Sequence, residues 1–381
     1  MTEQKIITGD CLEVMRTMDA NSIDCIVTDP PYGLHFMGKD WDHGIPGQHF
    51  WIEALRICKP GAMLLAFGGT RTYHRVTCSI EDAGWEIRDC LMWLYGSGFP
   101  KSHNHFGFPG YGTALKPAYE PIIMAMKPLE GTYAQNAEKW GVAGINIDEC
   151  RIQASDQDKL AKNWDRETVT DMRSGNYGNG IASGIKLETK APVGRWPANL
   201  LLDEDAGKML DEQTSHLKSG HRNRENHKLH KAENIYKLGM NLHANFKDYN
   251  DSGGASRFFY CAKSSSAERN AGLENFPLKA AFDNESGPMG GNMGSKSGFR
   301  QNNHPTVKPL ALMQYLIKLV MPLNKNAVLL DPFAGSGTTI LAAKQLNCNA
   351  TGIEISEEYA EIARKRLESC KLPIEQFELD L

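Results

Sequence analysis

Apolar and polar positions in the first third of the chain follow two kinds of pattern. Some segments are continuous or β-branched apolar runs, which are typical of strands buried on both faces of a sheet. These predicted strands are residues 5–8, 23–28, 62–67, 85–94 and 119–126. Other segments carry apolar residues at helical spacing, and they predict helices between the strands. The predicted helices are residues 12–18, 50–58 and about 70–82.

The last part of the chain shows the same alternation. Four elements are predicted here: a helix at 310–320, a strand at 327–330, a helix at 338–346 and a strand at 350–354. Ser356 suits the N-cap of a final helix that runs to about Ser369, because its hydroxyl can accept a hydrogen bond from a backbone N–H. Strands and helices that alternate at both ends of the chain predict an α/β fold with a mostly parallel sheet.

The middle of the chain, residues 140–303, has a different composition. It is rich in Gly, Asn, Ser and charged residues, and its apolar islands are 196–202 and 258–262. Such a composition is typical of loop-rich segments. The sequence therefore predicts a core formed by residues 1–139 and 304–381, with a large insertion between them.

Composition limits the class of protein. The chain has 381 residues, and 41% of them are hydrophobic, which is enough for a large core. No apolar run approaches the length of a membrane span, and no signal region follows the first residues, so no membrane partner is expected. Nine Cys occur without a Cys-x-x-Cys pair, and Cys25, Cys58, Cys78 and Cys90 lie in apolar runs. We interpret them as reduced core residues and expect neither disulfides nor a metal site.

Charge is distributed unevenly. The net charge of −4 argues against a uniformly basic surface, so a nucleic acid would have to bind a local basic face. Five of the 12 His lie between His216 and His243. The basic residues near them are Lys218, Arg222, Arg224, Lys228 and Lys231. Two interpretations stay open, a solvated surface and a face that contacts phosphates.

The predicted strand at 23–28 ends abruptly at Asp29-Pro30-Pro31-Tyr32. Pro31 has no N–H and keeps Pro30 extended, so this turn is stiff. Open α/β sheets bind their ligands at this end of a strand. The Asp29 carboxylate and the Pro30 carbonyl could accept both hydrogens of an amino group on a base, while the Tyr32 ring stacks on that base. The alternative is that these four residues only end the strand.

A second motif follows the predicted strand at 327–330 and reads Asp331-Pro332-Phe333-Ala334-Gly335-Ser336-Gly337-Thr338. Gly335 and Gly337 allow a ligand to approach the backbone closely, and the following helix N-terminus supplies free N–H groups. Glu354 ends the next strand, about twenty residues on, where an acidic residue can hold the two hydroxyls of a ribose.

Two common ligands do not fit the glycine-rich turn. A dinucleotide fingerprint requires a third Gly where this chain has Ile340, and a nucleoside-triphosphate loop requires a Lys directly after Gly337. The turn therefore suits a nucleoside ligand without a required pyrophosphate, and S-adenosylmethionine is a ligand of that kind. A tight strand–helix turn without a ligand is the alternative.

Together the two motifs resemble those of the DNA methyltransferases that methylate the exocyclic amino group of adenine or cytosine. Their order, with Asp-Pro-Pro-Tyr first and Phe-Ala-Gly-Ser-Gly last, is similar to the circularly permuted beta group. The resemblance covers about residues 5–135 and 300–370, and the segments 194–199 and 258–263 look like stretches of phage and prophage members. It implies a Rossmann-like, S-adenosylmethionine-dependent methyltransferase fold in which the order of the two motifs along the chain is free.

The resemblance also implies roles for parts of the chain. Residues 1–139 would be the catalytic half, 140–303 the target-recognition region and 304–381 the cofactor-binding half. The implied catalytic turn is Asp29, Pro30, Pro31 and Tyr32. The residues implied around the cofactor are Asp10, Cys11, Asp29, Thr306, Lys308, Asp331, Phe333, Gly335, Ser336, Gly337, Thr338 and Glu354. For Asp10 and Cys11, a helix N-cap and a core cysteine are the alternatives.

The implied reaction is methyl transfer from S-adenosylmethionine to N6 of adenine in double-stranded DNA, with the base rotated out of the duplex and no metal. Adenine is favoured because Asp at the first motif position resembles adenine-modifying members, whereas cytosine-modifying members more often have Ser. Cytosine-N4 methylation, an RNA or protein-amide substrate, and a non-catalytic nucleic-acid-binding module are the alternatives. With DNA as the substrate, contacts to it are predicted for Lys101, Arg222, Arg224 and Lys228.

Partners and location follow from the same resemblance. A homodimer and a restriction endonuclease partner both stay open. The expected location is the cytoplasm of a bacterial or phage-infected cell.

Overall fold

The computed structural model describes most of the chain. The described residues are 2–34, 44–98, 108–153, 194–218, 252–262, 268, 270–274, 276–280, 299–304 and 307–370. Four predicted contact residues, Lys101, Arg222, Arg224 and Lys228, lie outside this range, as does Thr306.

The described strands alternate with helices over both ends of the chain. The strands are β1 (Gln4–Thr8), β2 (Ile23–Thr28), β3 (Cys58–Phe67), β4 (Glu86–Leu94), β5 (Tyr119–Met126), β6 (Leu200–Asp203), β7 (Leu217–Lys218), β8 (Ser252–Gly253), β9 (Tyr260–Ala262), β10 (Lys279–Ala280), β11 (Phe299–Arg300), β12 (Val328–Asp331) and β13 (Asn349–Glu354). The α-helices are α1 (Cys11–Arg16), α2 (Gln48–Ile57), α3 (Tyr73–Asp82), α4 (Tyr133–Trp140), α5 (Glu204–Thr214), α6 (Leu310–Val320), α7 (Thr338–Gln345) and α8 (Glu357–Ser369).

Nine of the described strands form one sheet in the order β1-β13-β12-β2-β3-β5-β4-β6-β9. Strand β5 is antiparallel to both neighbours, β3 and β4, whereas the remaining neighbouring strands are parallel. This mixed, mostly parallel sheet with helices confirms the predicted α/β class. The strand before the glycine-rich turn lies beside the strand before Asp29, with Leu329 opposite Cys25 and Leu330 opposite Ile26. The two motifs are therefore neighbours in space although they occupy opposite ends of the chain.

The two apolar islands of the middle region extend this sheet. Strand β6 pairs in parallel with β4, and β9 pairs in parallel with β6. Asp203, the last residue of β6, is the N-cap of the following helix α5, and its carboxylate accepts from the N–H of Ala206 at 2.7 Å. Part of the predicted 140–303 region is thus continuous with the core sheet, and the three-part division of the chain stays a prediction.

Two apolar layers pack against the sheet because side chains alternate along each buried strand. In β2, Cys25 and Val27 join the layer that contains α6, whereas Ile26 joins the opposite layer with Trp51 of α2. All of these residues except Trp51 lie on a strand buried along its whole length. The sheet is consequently covered by an apolar layer on each face.

All nine cysteines lie in the described part of the chain, and no disulfide joins any two of them there. Cys25 and Cys58 are buried, but Cys78 is exposed, so its prediction as a core residue is wrong. It lies on α3, whose buried residues are Val76 and Ile80. No helix in the described part of the chain is long and apolar enough to cross a membrane.

Candidate active site

Four adjacent strands of the sheet end at one edge, where their carboxyl ends carry acidic residues. Asp29 follows β2, Asp331 ends β12, Glu354 ends β13, and Asp10 follows β1. Because these strands are parallel and adjacent, the four carboxylates converge. They line one cavity of about 230 Å³.

The cavity brings together most of the residues predicted around a cofactor. Its predicted lining residues are Asp10, Cys11, Asp29, Pro31, Lys308, Asp331, Phe333, Gly335, Ser336, Thr338 and Glu354. It also contains residues that the sequence did not single out, including His304 and Tyr359, whose rings meet edge to face with centroids 4.7 Å apart.

Glu354 is fixed by the backbone of the glycine-rich turn. Its Oε2 accepts a hydrogen bond from the N–H of Gly335 at 2.7 Å, and its Oε1 accepts one from the N–H of Ser356 at 2.8 Å. Burial raises the pKa of Glu354, and the two backbone donors oppose that effect. Each carboxylate oxygen has a second lone pair, so both can still accept from a ligand hydroxyl in the cavity.

The two glycines of the turn have different neighbours. Gly335 has φ +53°, and a Cβ there would come within 2.7 Å of His304 Nε2. Gly337 has φ +77° and caps α7, where a Cβ would lie 2.6 Å from Ala363 Cβ of α8. Gly337, predicted to line the cofactor pocket, is therefore a packing residue between two helices and does not line the described cavity.

A buried arginine forms hydrogen bonds with Ser336 and Thr338 of the same turn. Arg366 of α8 donates to the carbonyl of Ser336 at 2.6 Å and to Thr338 Oγ1 at 3.0 Å. Asn302 also donates to Ser336 Oγ, at 3.2 Å. Arg366 is not predictable from the sequence, since a charged residue in an amphipathic terminal helix usually faces solvent.

Asp331 is almost fully buried beneath the cavity. Its Oδ1 accepts from Thr28 Oγ1 at 2.7 Å and from the N–H of Phe333 at 3.1 Å. Burial raises the pKa of Asp331 to about 6. The Phe333 ring packs against Phe50, with centroids 5.0 Å apart, and forms an apolar wall of the cavity.

Asp10 and Cys11 lie at the start of α1, where Asp10 is both the N-cap of the helix and part of the cavity lining. Asp10 Oδ1 accepts from the N–H groups of Leu12 and Glu13 at 2.9 and 3.0 Å, so it is the helix N-cap. Both Asp10 and Cys11 also line the cavity. Burial raises the pKa of the Cys11 thiol to about 12, so the thiol stays neutral.

Asp29 belongs to a four-residue polar cluster with Tyr32, Glu120 and Lys308, which we call the Asp29 cluster. Lys308 Nζ lies 2.5 Å from Asp29 Oδ2 and 3.3 Å from Glu120 Oε2. The Tyr32 hydroxyl lies 2.8 Å from Asp29 Oδ1 and 3.0 Å from Glu120 Oε2. Lys308 also faces the Phe67 ring, 4.8 Å from its centroid. The cation thus lies between two carboxylates from different strands.

The electrostatics of the Asp29 cluster follow from its burial. Burial raises the pKa of Asp29 and outweighs the opposing effect of Lys308. Burial by itself lowers the pKa of Lys308, but Asp29 and Glu120 reverse that effect and the net pKa is raised. Burial also raises the pKa of Tyr32 well above its ordinary value, so its hydroxyl keeps its proton. A protonated lysine therefore faces an Asp29 carboxylate that takes up a proton more readily than usual.

Lys308 is among the residues that the resemblance implies around the cofactor, whereas no sequence motif includes Glu120. Glu120 precedes Pro121 near the start of the buried strand β5. An acidic residue at such a position is the one sequence feature that indicates a paired or functional carboxylate there. Pro30 is buried and Tyr32 half-buried, and neither lines the cavity. Within the described residues, no group of three or more His, Cys, Asp or Glu side chains is arranged to hold a metal ion.

Comparison with known proteins gives matches over most of the chain and over shorter segments of it. A family model described as DNA methylase (N6_N4_Mtase) matches residues 23–365. The Type II methyltransferase M.HpaI of Haemophilus parainfluenzae is 22% identical over 379 residues, which cover 96% of this chain and 75% of that protein. M.HindIII of Haemophilus influenzae is 50% identical over 64 residues, 17% of this chain and 20% of that protein.

Solved structures with similar folds were also found. PvuII DNA methyltransferase, cytosine-N4-specific, has a TM-score of 0.47 and 14% identity, with 96% of this chain and 86% of that chain covered. The M1.HpyAVI–SAM complex has a TM-score of 0.40 and 17% identity, with 96% and 99% covered.

Proposed function

This chain belongs to the DNA methylase family whose members modify amino groups at N6 of adenine or N4 of cytosine, and we propose that it transfers a methyl group from S-adenosylmethionine to N6 of adenine in double-stranded DNA. Membership confirms the resemblance inferred from the two motifs. The observation that carries the proposal is that Asp29 and Glu354 line the same cavity, although they belong to motifs from opposite ends of the chain.

The donor set of the cavity fits S-adenosylmethionine. This cofactor carries a sulfonium and an ammonium group against one carboxylate, so it is cationic at neutral pH. Four carboxylates line the cavity, from Asp10, Asp29, Asp331 and Glu354, and Lys308 supplies a cation. Glu354 would hold the ribose hydroxyls, and the apolar Phe333 wall suits the face of a purine. M1.HpyAVI, a protein of similar fold, was crystallised with SAM.

The chemistry that the bound cofactor supplies is an electrophilic methyl group. The residues of the chain orient the acceptor for it. Asp29 and the Pro30 carbonyl would accept the hydrogens of the target amino group and aim its lone pair, and the stiff Pro30-Pro31 backbone would hold both acceptors in place. The catalytic contribution is therefore orientation and electrostatics at the amino nitrogen.

Adenine as the target rests on Asp29 at the first position of the catalytic turn. Neither its carboxylate nor the cavity distinguishes an adenine amino group from a cytosine amino group, because both are planar and donate two hydrogens. N4-methylation of cytosine is the second candidate, and the PvuII enzyme is a cytosine-N4-specific protein of similar fold.

Nucleoside mass spectrometry tests the proposal. The protein is incubated with S-adenosylmethionine and with mixed-sequence DNA, and the products are digested. We expect N6-methyladenine from the native protein and none from Asp29→Asn, which keeps the size of the side chain but removes its charge. Asp148→Asn is the matched control, because that side chain is 78% exposed and its ion-pair partner is Arg151, outside the cavity. Methylated cytosine in place of methylated adenine would show that cytosine is the target base. Methylation of RNA or protein alone would contradict the DNA proposal.

A further inference from the structure

The Tyr32 hydroxyl contacts two carboxylates but has one hydrogen to donate. It lies 2.8 Å from Asp29 Oδ1 and 3.0 Å from Glu120 Oε2, both within hydrogen-bond distance. Its own proton fills one of these contacts. The other is a close approach of two oxygens, which is favourable only when the carboxyl group itself carries a proton. The Asp29 cluster therefore has a place for one additional proton, between Tyr32 and a carboxylate.

The charges of the cluster lead to the same count. Lys308 contributes one positive charge, and Asp29 and Glu120 contribute two negative charges when both are ionised. One added proton makes the cluster neutral, which reduces the cost of its burial. Two other titratable groups face it. Burial raises the pKa of Tyr95 to about 12, so that hydroxyl stays neutral, and Asp331 accepts a hydrogen bond from Thr28.

The two carboxylates of the cluster differ in their relation to the cavity. Asp29 lines the cavity, whereas Glu120 does not, although its side chain is 23% exposed. A substrate in the cavity would cover Asp29 and leave the exposed part of Glu120 in contact with solvent. The line from Asp29 through Tyr32 to Glu120 thus connects the cavity with solvent outside it.

We propose that Asp29, Tyr32 and Glu120 form a proton relay, in which Glu120 is the positioning residue that carries the reaction proton from the active site to solvent. This inference rests on the proposed function. Methyl transfer forms an N–C bond and breaks a C–S bond, whose electron pair stays on sulfur, and it leaves the amino nitrogen positively charged. That nitrogen loses one proton to Asp29. Glu120 first releases to water the proton that it holds in the resting cluster. Asp29 then passes a proton to the Tyr32 oxygen as the Tyr32 hydroxyl proton moves to the ionised Glu120, so each turnover releases one proton and restores the resting cluster.

Tyr32 gains one proton as it loses another, so it is neutral before and after each transfer. The raised pKa of its hydroxyl agrees with this, because no tyrosinate forms. The raised pKa of Asp29 agrees with its role as the first acceptor. Lys308, next to Asp29, disfavours a proton that stays there and so favours onward transfer.

Single-turnover rates at saturating cofactor and DNA test the relay in Tyr32→Phe, Glu120→Gln and the double variant. Each single variant should lower the methyl-transfer rate about 10- to 100-fold with unchanged DNA and cofactor affinity. The double variant should be no slower than the slower single variant, because both substitutions interrupt one path. Tyr133→Phe and Glu86→Gln are matched controls, since both side chains are about half exposed on the surface.

A second measurement does not depend on activity. Infrared spectra of the free protein, recorded from mildly acidic to mildly basic pH, should show a protonated carboxyl band that is lost or shifted in Glu120→Gln. The native enzyme should also show a solvent deuterium effect on the single-turnover rate with more than one proton in flight, and this measurement stands even where a variant fails to fold.

The outcomes separate the relay from the proposed function. Native methylation with unchanged rates in Tyr32→Phe and Glu120→Gln would overturn the relay and leave the function intact. Multiplicative losses in the double variant, or a single proton in flight, would also overturn it. No methylation of any DNA by the native protein would overturn both proposals together.

Discussion

Glu354 Oε2 accepts a 2.7 Å hydrogen bond from the N–H of Gly335, so the acidic end of β13 fixes the start of the glycine-rich turn. In Glu354→Gln one of the two backbone donors would face an amide NH₂ group. We expect S-adenosylhomocysteine to bind about 10- to 100-fold more weakly, and the free energy of unfolding to fall by about 1–3 kcal/mol. Titration calorimetry and denaturant unfolding measure the two effects.

Glu368→Gln is the matched control for Glu354→Gln. Its side chain is 64% exposed and pairs with Lys365 on the surface of α8, where an ion pair contributes little to stability. Equal cofactor affinity in Glu354→Gln and the native protein would contradict the role of Glu354 in holding the ribose.

Gly337 is required by packing in addition to its backbone angle. In Gly337→Ala the new Cβ would lie 2.6 Å from Ala363 Cβ at a φ of +77°. We expect a loss of about 2–4 kcal/mol in the free energy of unfolding, from left-handed backbone strain and overpacking together. Gly144→Ala is the control, because Gly144 has φ +75° and open space around it. Equal losses in the two variants, measured by urea unfolding, would show that the backbone angle alone matters.

The sequence predicted both motifs because each depends on local signals, whereas their adjacency depends on the pairing of β12 with β2. Asp29 and Glu354 directly follow or end apolar strands, and the ends of parallel strands meet at one edge of a sheet. The N-cap of the last helix was also predictable, since Ser356 Oγ accepts from the N–H of Tyr359. The direction of β5 was not predictable, because a buried apolar run looks the same in a parallel and an antiparallel strand.

Glu120 could not be assigned from sequence because its role depends on distant partners. It is 88 residues from Tyr32 along the chain, and it reaches the site only because β5 lies between β3 and β4. Strands β6 and β9 were similarly hidden, since four and three residues are too few for a periodic pattern. Long-range pairing, which local composition does not encode, decided these features.

The predicted basic face of the middle region is tested by replacing Arg222, Arg224 and Lys228 together with Gln. If all three contact phosphates, DNA should bind more weakly, and the negative slope of log affinity against log salt should become less steep by about 2–3. Fluorescence anisotropy over a salt series measures this slope. A triple variant of exposed lysines on separate elements of the core, Lys5, Lys139 and Lys365, is the control. An unchanged slope would contradict the phosphate contacts.

Lys308 sets the pH range in which Asp29 is ionised. Burial raises the pKa of Asp29, and Lys308 opposes this, so Lys308→Met should raise that pKa further. Because Asp29 accepts hydrogen bonds in its ionised form, the rising limb of kcat/KM against pH should move to higher pH, and the rate at neutral pH should fall. Lys139→Met is the control, since that side chain is 61% exposed and pairs with Glu130. A rate loss without a shifted limb would contradict this role.

Asp331 should make the folded state less stable as pH rises through the mildly acidic range. Burial raises its pKa to about 6 from an ordinary 3.8, so the folded state binds the proton more tightly than the unfolded chain. Its contribution to stability is therefore fully present below pH 3.8 and is lost as pH rises through about 6.

Asp331→Asn keeps an oxygen that can accept from Thr28 and Phe333 but cannot ionise. Relative to the native protein, this variant should gain about 1–3 kcal/mol between mildly acidic and mildly basic pH, measured by urea unfolding at each pH. The exposed Asp148→Asn should show no such gain, and a parallel pH dependence of Asp331→Asn and the native protein would contradict the assignment.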